Sequence, residues 1–95
     1  MLGFVVARSI APEWEIENIV VAPSAHRAGV ATALMKALLD TALKTKSEAV
    51  FLEVRESNRT ARSFYEAAGF QHTGRRKSYY TGPLEDAILY RLSLP

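Results

Sequence analysis

The chain has 95 residues, 48% of them hydrophobic, and a formal net charge of +2 at pH 7. This length suits a single domain over residues 1–95, and the composition is that of a globular rather than a disordered protein. No apolar run approaches the ~20 residues that cross a bilayer, and the N-terminus lacks the pattern of a secretory signal. We therefore expect a cytoplasmic protein with no membrane partner.

Cysteine and histidine usage limits the chemistry further. The absence of cysteine excludes a disulfide framework, a thiolate zinc site and a cysteine nucleophile. The two histidines, His26 and His72, lie far apart and neither has a metal-ligand pattern around it, so no metal is expected. The mild positive charge would suit an anionic ligand, but it does not require a nucleic-acid partner.

The N-terminal half predicts a hairpin followed by a helix. Residues 3–10 are rich in β-forming side chains, residues 11–13 interrupt them, and residues 15–21 alternate before they become continuously apolar. A connection this short joins antiparallel strands. After a loop, apolar residues recur at helical spacing from Val30, and this helix should end within residues 44–47.

The C-terminal half predicts a strand, a helix and two more strands. Residues 49–54 are almost continuously apolar, as in a strand of a parallel pair that is buried on both faces. Residues 60–68 follow a helical pattern, and residues 70–80 and 86–94 read as strands joined by a turn. The order β-β-α-β-α-β-β indicates an α/β fold with a mixed sheet.

The second helix carries recognisable signals at both ends. Ser57 or Asn58 is a suitable N-cap, because either side chain can accept a hydrogen bond from the first turn. Gly69 suits the left-handed position after the last turn, and Phe70 can pack back against the helix.

The loop between the second strand and the first helix is a candidate anion site. A helix start offers unpaired backbone N–H groups and the positive end of the helix dipole, and Arg27 could add a charge-assisted contact to phosphate. With one glycine, Gly29, the loop is a weaker signal than a complete phosphate-binding fingerprint. An ordinary connection is the alternative.

Glu53 and Tyr65 are the candidate acid–base residues. A carboxylate inside a buried strand is costly when charged and unpaired, and burial favours its neutral form, which would make Glu53 a usable base. The alternative is an ion pair with an arginine such as Arg55 or Arg75. Tyr65 lies on the apolar face of the second helix, where a core tyrosine is the simpler interpretation, and Asn58 is by default a helix cap.

The basic segment 75–77, followed by Tyr79 and Tyr80, combines charge with aromatic rings and could contact RNA. A solvated strand or loop is the simpler interpretation, since a short charge run usually lies on the surface.

Together these pieces resemble the GNAT family of acetyl-CoA-dependent N-acetyltransferases. The family's pyrophosphate loop has the form Gln/Arg-x-x-Gly-x-Gly/Ala at a helix start, and residues 26–31 match it except at His26, whose role we cannot assign. The closer resemblance is to the bacterial ribosomal-protein-alanine N-acetyltransferases, the RimI type. Residues 18–23, 52–58 and 64–70 carry that resemblance, and the tail from residue 75 supports it.

The resemblance implies a GNAT mixed sheet that is N-terminally shortened. The chain starts at the third strand of the family fold, and the absent part usually helps to form the groove for the acceptor. The first strand would then be an unprotected sheet edge, which invites association. The chain could be an inactive fragment, or it could complete itself by pairing with another copy as a homodimer.

The resemblance also implies an enzyme that transfers acetyl from acetyl-CoA, its co-substrate, to a primary amine. The subfamily suggests the N-terminal α-amine of a ribosomal protein as acceptor. Glu53 would be the base, acting through water, and Tyr65 would protonate the departing CoA thiolate. The implied cofactor-binding residues are the pyrophosphate loop and helix start (Arg27, Ala28, Gly29, Val30, Ala31 and Thr32), the backbone of Ile19, Val20 and Val21, and Asn58.

Two functions from other classes stay open on the sequence. A non-catalytic acyl-CoA-binding module would bind acetyl-CoA and acetylate nothing. An RNA-binding protein would show salt-dependent affinity that depends on Arg75 and Arg76.

Overall fold

The computed structural model describes residues 2–22 and 29–95. These residues form, in chain order, β1 (Gly3–Ile10), β2 (Glu13–Val21), α1 (Val30–Lys44), β3 (Ala49–Arg55), α2 (Arg59–Ala67), β4 (Gln71–Tyr80) and β5 (Glu85–Ser93). The sheet has the strand order β1-β2-β3-β5-β4, so β1 lies at an edge as expected. The predicted α/β element order is confirmed.

The chain divides into two compact units. The N-terminal unit comprises Met1–Val50 with Leu94–Pro95, and the C-terminal unit comprises Phe51–Ser93. The interpretation of residues 1–95 as one domain stays a prediction.

The N-terminal unit is built on the predicted hairpin. β1 pairs antiparallel with β2, from Gly3 opposite Val21 to Ile10 opposite Glu13. β2 begins at Glu13, two residues earlier than the sequence pattern indicated, because Glu13 is paired with the last residue of β1.

α1 packs against β1 and β2 through an apolar stripe in which Met35, Leu38 and Ala42 are buried. The helix begins at Val30, as predicted, directly after Gly29, whose φ is +77°. A Cβ added to Gly3 would lie 3.2 Å from the Val30 side chain, so the odd-numbered face of β1 is turned towards α1. Side chains alternate along a strand, and the opposite face of the hairpin therefore presents the exposed apolar residues Phe4, Val6 and Val20.

In the C-terminal unit, α2 ends in a Schellman motif. Gly69 has a φ of +100° and donates its N–H to the Glu66 carbonyl oxygen, while the Phe70 N–H donates to the Tyr65 carbonyl oxygen at 3.0 Å. The predicted left-handed position of Gly69 is confirmed. Asn58 is the N-cap, since its Oδ1 accepts the N–H of Ala61 at 3.2 Å.

The final hairpin of β4 and β5 is antiparallel but irregular. The ladder runs from Gln71 opposite Arg91 to Tyr80 opposite Glu85, and its register shifts between Arg76 and Tyr80. Ser78 lies inside this shift with a φ of +53°. A bulge of this kind re-aims the side chains on either side of it.

β3 differs from the expected strand with two buried faces. Leu52 and Val54 are buried, whereas the alternate positions Phe51, Glu53 and Arg55 are half-buried. The prediction was wrong for this second face, because an apolar sequence run does not reveal which of its faces is covered. Glu53 lies on the face that is partly open.

Candidate functional site

The start of α1 is the part of the predicted phosphate site that the structure describes. Two of its predicted residues, Arg27 and Ala28, and also His26, lie outside the described residues. Among the described residues, the helix has no side-chain cap and no acidic residue in its first turn. The first bond of the helix runs from the Ala33 N–H to the Gly29 carbonyl oxygen at 3.0 Å. The N–H groups before Ala33 therefore have no acceptor within the helix, and the positive end of its dipole carries no compensating carboxylate.

The backbone N–H and C=O groups at the end of β2 point alternately towards β1 and away from it. The Ala22 N–H donates to the Leu2 carbonyl oxygen at 2.7 Å, so these two residues are a hydrogen-bonded pair across the hairpin. Because such pairs alternate along an antiparallel ladder, Val20 is directed towards β1. Ile19 and Val21 direct their backbone N–H and C=O groups away from it.

Glu53 forms an ion pair in the C-terminal unit. The Nε atom of Arg76 lies 3.0 Å from Glu53 Oε1, and the side chains of Arg76 and Glu53 are 58% and 18% exposed. An arginine partner was one sequence interpretation, but the partner is neither Arg55 nor Arg75. Both of those arginines bind other carboxylates.

Arg55 and Glu85 hold the turn between β4 and β5. Arg55 donates to Glu85 Oε2 at 3.2 Å and to the Thr81 carbonyl oxygen at 3.2 Å, and its guanidinium lies 4.4 Å from the centre of the Tyr80 ring. Glu85 also accepts the backbone N–H of Ser57. Hydrogen bonding from Ser57, followed by the contact with Arg55, lowers the pKa of Glu85.

Arg75 is enclosed by two carboxylates. It binds Glu56 Oε2 at 2.8 Å and Asp86 Oδ2 at 2.7 Å. Asp86 also accepts the N–H of Ser78 at 2.8 Å, and this bond, with Arg75 next in weight, lowers the pKa of Asp86. Since Arg75 and Arg76 are both ion-paired, the basic segment does not present two free cations to a nucleic acid.

Tyr65 is a packed residue, as the simpler interpretation held. Its side chain is 9% exposed, and its ring meets those of Phe64, Phe70 and Tyr90 with centroids 5.5, 5.7 and 6.4 Å away. Burial raises the pKa of Tyr65, so the phenol stays protonated at neutral pH. No buried side-chain nitrogen or oxygen of the described residues lacks a hydrogen-bond partner. The Tyr65 hydroxyl is thus consistent with both a structural and a chemical role.

One polar network was missed at the sequence level. Tyr90 is buried, its hydroxyl donates to Glu66 Oε2 at 2.6 Å, and it accepts the Nε–H of Arg62 at 3.0 Å. Arg62 and Glu66 are four residues apart on α2, a spacing that places them on one face, but nothing in the sequence indicated a tyrosine between them.

The candidate residues are divided between the two units. Glu53, Asn58 and Tyr65 lie in the C-terminal unit, and the described cofactor candidates on β2 and α1 lie in the N-terminal unit. The parts of the chain that the structure describes contain no cluster of His, Asp and Glu able to hold a metal ion. In those same parts, neither helix is long and apolar enough to span a membrane.

This element order and strand order define an α/β fold of the acyl-CoA N-acyltransferase class. A family profile described as "Acetyltransferase (GNAT) family" matches residues 1–70. The chain belongs to the GNAT acetyltransferase family.

Within the family, the chain is similar to RimI-type enzymes. It is 35% identical over 96 aligned residues to the [ribosomal protein bS18]-alanine N-acetyltransferase of Escherichia coli K12, covering 99% of this chain and 65% of that enzyme. It therefore spans just under two thirds of the length of this relative. It is 37% identical over 79 residues to the N-alpha-acetyltransferase RimI of Mycobacterium tuberculosis, covering 83% of this chain and 48% of that protein.

Solved structures of acetyltransferases superpose closely on this chain. The crystal structure of the E. coli ribosomal-protein-S18-alanine N-acetyltransferase superposes with a TM-score of 0.90 at 36% identity, covering 98% of this chain and 61% of that one. A putative streptothricin acetyltransferase from Bacillus anthracis, solved in complex with acetyl coenzyme A, gives a TM-score of 0.91 at 27% identity. It covers 100% of this chain and 57% of that one.

Proposed function

We propose that this chain is the cofactor-binding core of an enzyme that transfers acetyl from acetyl-CoA to a protein N-terminal α-amine. The observation that carries the proposal is the 35% identity with a ribosomal-protein-alanine acetyltransferase over 99% of the chain. The acceptor we expect is the N-terminal alanine of a ribosomal protein. We place the reaction in the cytoplasm and expect it to need no metal.

We assign cofactor binding mainly to the N-terminal unit. The loop and helix start, from Arg27 to Thr32, would hold the pyrophosphate through backbone N–H groups and the helix dipole. Backbone groups of Ile19 and Val21 would bind the pantetheine arm and polarise the thioester carbonyl, whereas those of the third predicted residue, Val20, are directed towards β1. The direction of the Ile19 backbone, away from β1, supports this role. Asn58 uses Oδ1 as the helix cap, and its amide NH₂ would contact the cofactor arm.

Glu53 is assigned as the base. An amine attacks only when it is neutral, and a protein α-amine has a pKa of about 7.7–8.0, so a modest base suffices. Glu53, acting through water, takes the proton of the acceptor ammonium. The neutral nitrogen then forms a bond to the thioester carbonyl carbon, the carbon–sulfur bond breaks with its electron pair on sulfur, and the nitrogen releases its remaining excess proton to solvent water to give the amide.

Tyr65 is assigned as the acid. A thiol has a pKa near 8.5 and a phenol near 10, and burial raises the pKa of Tyr65 further, so full proton transfer to the departing CoA thiolate is uphill by at least roughly 1.5 units, or about 2 kcal/mol. The Tyr65 hydroxyl would therefore donate to the sulfur as its charge develops.

Two measurements on the full chain test the proposal. Calorimetry should detect acetyl-CoA binding, and mass spectrometry should detect acetylation of a peptide with a free N-terminal alanine but not of its N-acetylated counterpart. Binding without acetylation would instead support a non-catalytic acyl-CoA-binding module, the second candidate.

Oligomeric state is part of the same test. The exposed apolar face of the edge hairpin supports the association of two copies as a homodimer. Size-exclusion chromatography with light scattering, with and without acetyl-CoA, should then report a dimer. A monomer that binds no acetyl-CoA would identify an inactive fragment.

A further inference from the structure

Three arginines of the C-terminal unit, Arg55, Arg75 and Arg76, differ in how firmly each is bound. Arg55 has a carboxylate, backbone carbonyl oxygens and an aromatic face as partners, and Arg75 has two carboxylates. Arg76 forms an ion pair with one carboxylate, that of Glu53, in which its Nε atom lies 3.0 Å from Oε1. Its side chain is 58% exposed, against 36% for Arg75 and 35% for Arg55. Arg76 is therefore the most weakly held of these three arginines, and its partner Glu53 is the carboxylate that we assign as the base.

The solvent exposure of Arg76 and Glu53 determines how easily this ion pair separates. An ion pair with one largely solvated partner contributes little, because water and salt screen the attraction and the long side chain loses freedom when it is fixed. Water can replace the protein partner of Arg76 at small cost. Glu53 is mostly covered, so its carboxylate still needs a cation nearby when Arg76 departs.

The backbone gives Arg76 a second contact beside Glu53. Residues three apart in a regular strand point to opposite faces. The register shift between Arg76 and Tyr80 removes that alternation, and the Arg76 guanidinium lies 5.5 Å from the centre of the exposed Tyr79 ring. A ring face at this distance attracts a guanidinium. Arg76 can leave Glu53 while keeping a favourable neighbour.

We propose that Arg76 is a displaceable counter-ion, whose guanidinium holds the position beside Glu53 that the ammonium of the acceptor and its bridging water take on binding. This proposal rests on the assignment of Glu53 as the base. Two cations close to one carboxylate repel each other, so the acceptor ammonium and Arg76 exchange rather than share it. Arg76 thereby keeps Glu53 paired in the free protein and selects for acceptors that bring a positive charge of their own.

The N-terminal unit supplies a matched control. Arg8 donates its Nε–H to Glu15 Oε1 at 3.1 Å, and these side chains are 61% and 21% exposed. The exposure of this pair nearly equals that of Arg76 and Glu53, Arg8 also donates from Nη2 to Glu15 Oε1 at 3.0 Å, and neither Arg8 nor Glu15 has a proposed role. The Nε–H of Arg62, bonded to Tyr90, provides an internal reference that no acceptor should reach.

The first test follows arginine Nε–H signals by NMR in the full ¹⁵N-labelled chain. The substitution Glu53→Gln should shift the signal of the Arg76 Nε–H, and this shift identifies that signal. Titration with a free N-terminal alanine peptide should then move the Arg76 signal in the same direction and leave those of Arg8 and Arg62 unchanged, and the N-acetylated peptide should move none. An Arg76 signal that stays fixed, or one that moves together with that of Arg8, overturns the proposal.

The second test is kinetic. Arg76→Gln should lower the acceptor KM by about 2- to 5-fold, the equilibrium constant of an exposed ion pair, and leave the acetyl-CoA KM unchanged. Arg76→Lys keeps a positive charge, so its acceptor KM should lie between those of the wild type and Arg76→Gln. Arg8→Gln should change neither the acceptor KM nor the acetyl-CoA KM. An unchanged or raised acceptor KM contradicts the exchange. If no variant acetylates any peptide, the proposed function fails, while the NMR titration still decides whether Arg76 is displaced.

Discussion

The ring of Phe70 packs edge-on against the ring of Tyr65, with 5.7 Å between their centroids, while the Phe70 N–H donates to the Tyr65 carbonyl oxygen. Tyr65 is thus fixed by a backbone bond and by ring packing at the end of α2. A side chain held in this way has little freedom to lose when a substrate binds, which is what a positioned acid requires.

Tyr65→Phe should lower kcat by about 10²-fold or more, while the free energy of unfolding changes by less than about 0.5 kcal/mol. The ring packing is retained and only the hydroxyl is lost. Peptide acetylation rates and urea unfolding measure the two effects.

Tyr90→Phe is the matched control and should show the opposite result. Its hydroxyl joins Arg62 to Glu66, so its removal should cost about 1–3 kcal/mol of stability with little change in kcat. Equal effects of the two substitutions on turnover would remove the special role of Tyr65.

Glu53→Gln should lower turnover by about 10²- to 10⁴-fold and leave the affinity for acetyl-CoA nearly intact. Glutamine keeps the size of the side chain but cannot accept the proton. Glu56→Gln is the control, since Glu56 binds Arg75 in the same unit and has no assigned part in the reaction. Unchanged turnover in Glu53→Gln would exclude Glu53 as the base.

Asp86→Asn should reduce stability at neutral pH and lose its effect in acid. The pKa of Asp86 is lowered by the Ser78 N–H and by Arg75, so its carboxylate stabilises the fold above the unfolded pKa of about 3.9. That contribution is lost as the pH falls through the lower, folded pKa. Asparagine keeps an acceptor oxygen for the Ser78 N–H but has no charge for Arg75.

Urea unfolding of the wild type and Asp86→Asn at pH 7, 5 and 3 would measure this linkage. The difference between the two proteins should be present at pH 7 and 5 and should shrink at pH 3 and below. A difference independent of pH would mean that the charge of Asp86 contributes nothing to the fold.

Gly3→Ala should destabilise the N-terminal hairpin by about 1–3 kcal/mol, because the new Cβ would lie 2.5 Å from the Val20 carbonyl oxygen. Hydrogen exchange at the Ala22 amide, which donates to Leu2, should accelerate. Gly74→Ala should change stability by less than about 1 kcal/mol, since its Cβ would meet only the end of the Leu89 side chain at 3.4 Å. Equal costs at the two positions would contradict the close approach at Gly3.

Much of the fold could be predicted because its signals are local. The start of α1 after Gly29 and the end of α2 at Gly69 and Phe70 depend on residues next to each other in sequence. The start of β2 was placed two residues late because Glu13 is ordered by its partner Ile10, a contact that the chain pattern does not contain.

The ion pair of Glu53 could not be predicted, for a related reason. The sequence analysis named Arg55 and Arg75 as candidate partners, and the pattern of residues 75–77 does not distinguish Arg75 from Arg76. Arg75 pairs with Glu56 and Asp86, and Arg76 pairs with Glu53. The position of the register shift in β4 determines which arginine meets which carboxylate. That shift depends on the left-handed Ser78 and on Asp86 of the neighbouring strand.

The register shift in β4 also bears on how the sequence can evolve. Because side chains alternate with a period of two, losing or gaining one residue between Arg76 and Tyr80 would move the Tyr79 ring to the other face of the strand. A substitution at Lys77, which is exposed, does not change the number of residues between Arg76 and Tyr80. Selection in this segment should therefore act on its length more strongly than on its residue types, so that related chains tolerate replacements here but not insertions or deletions.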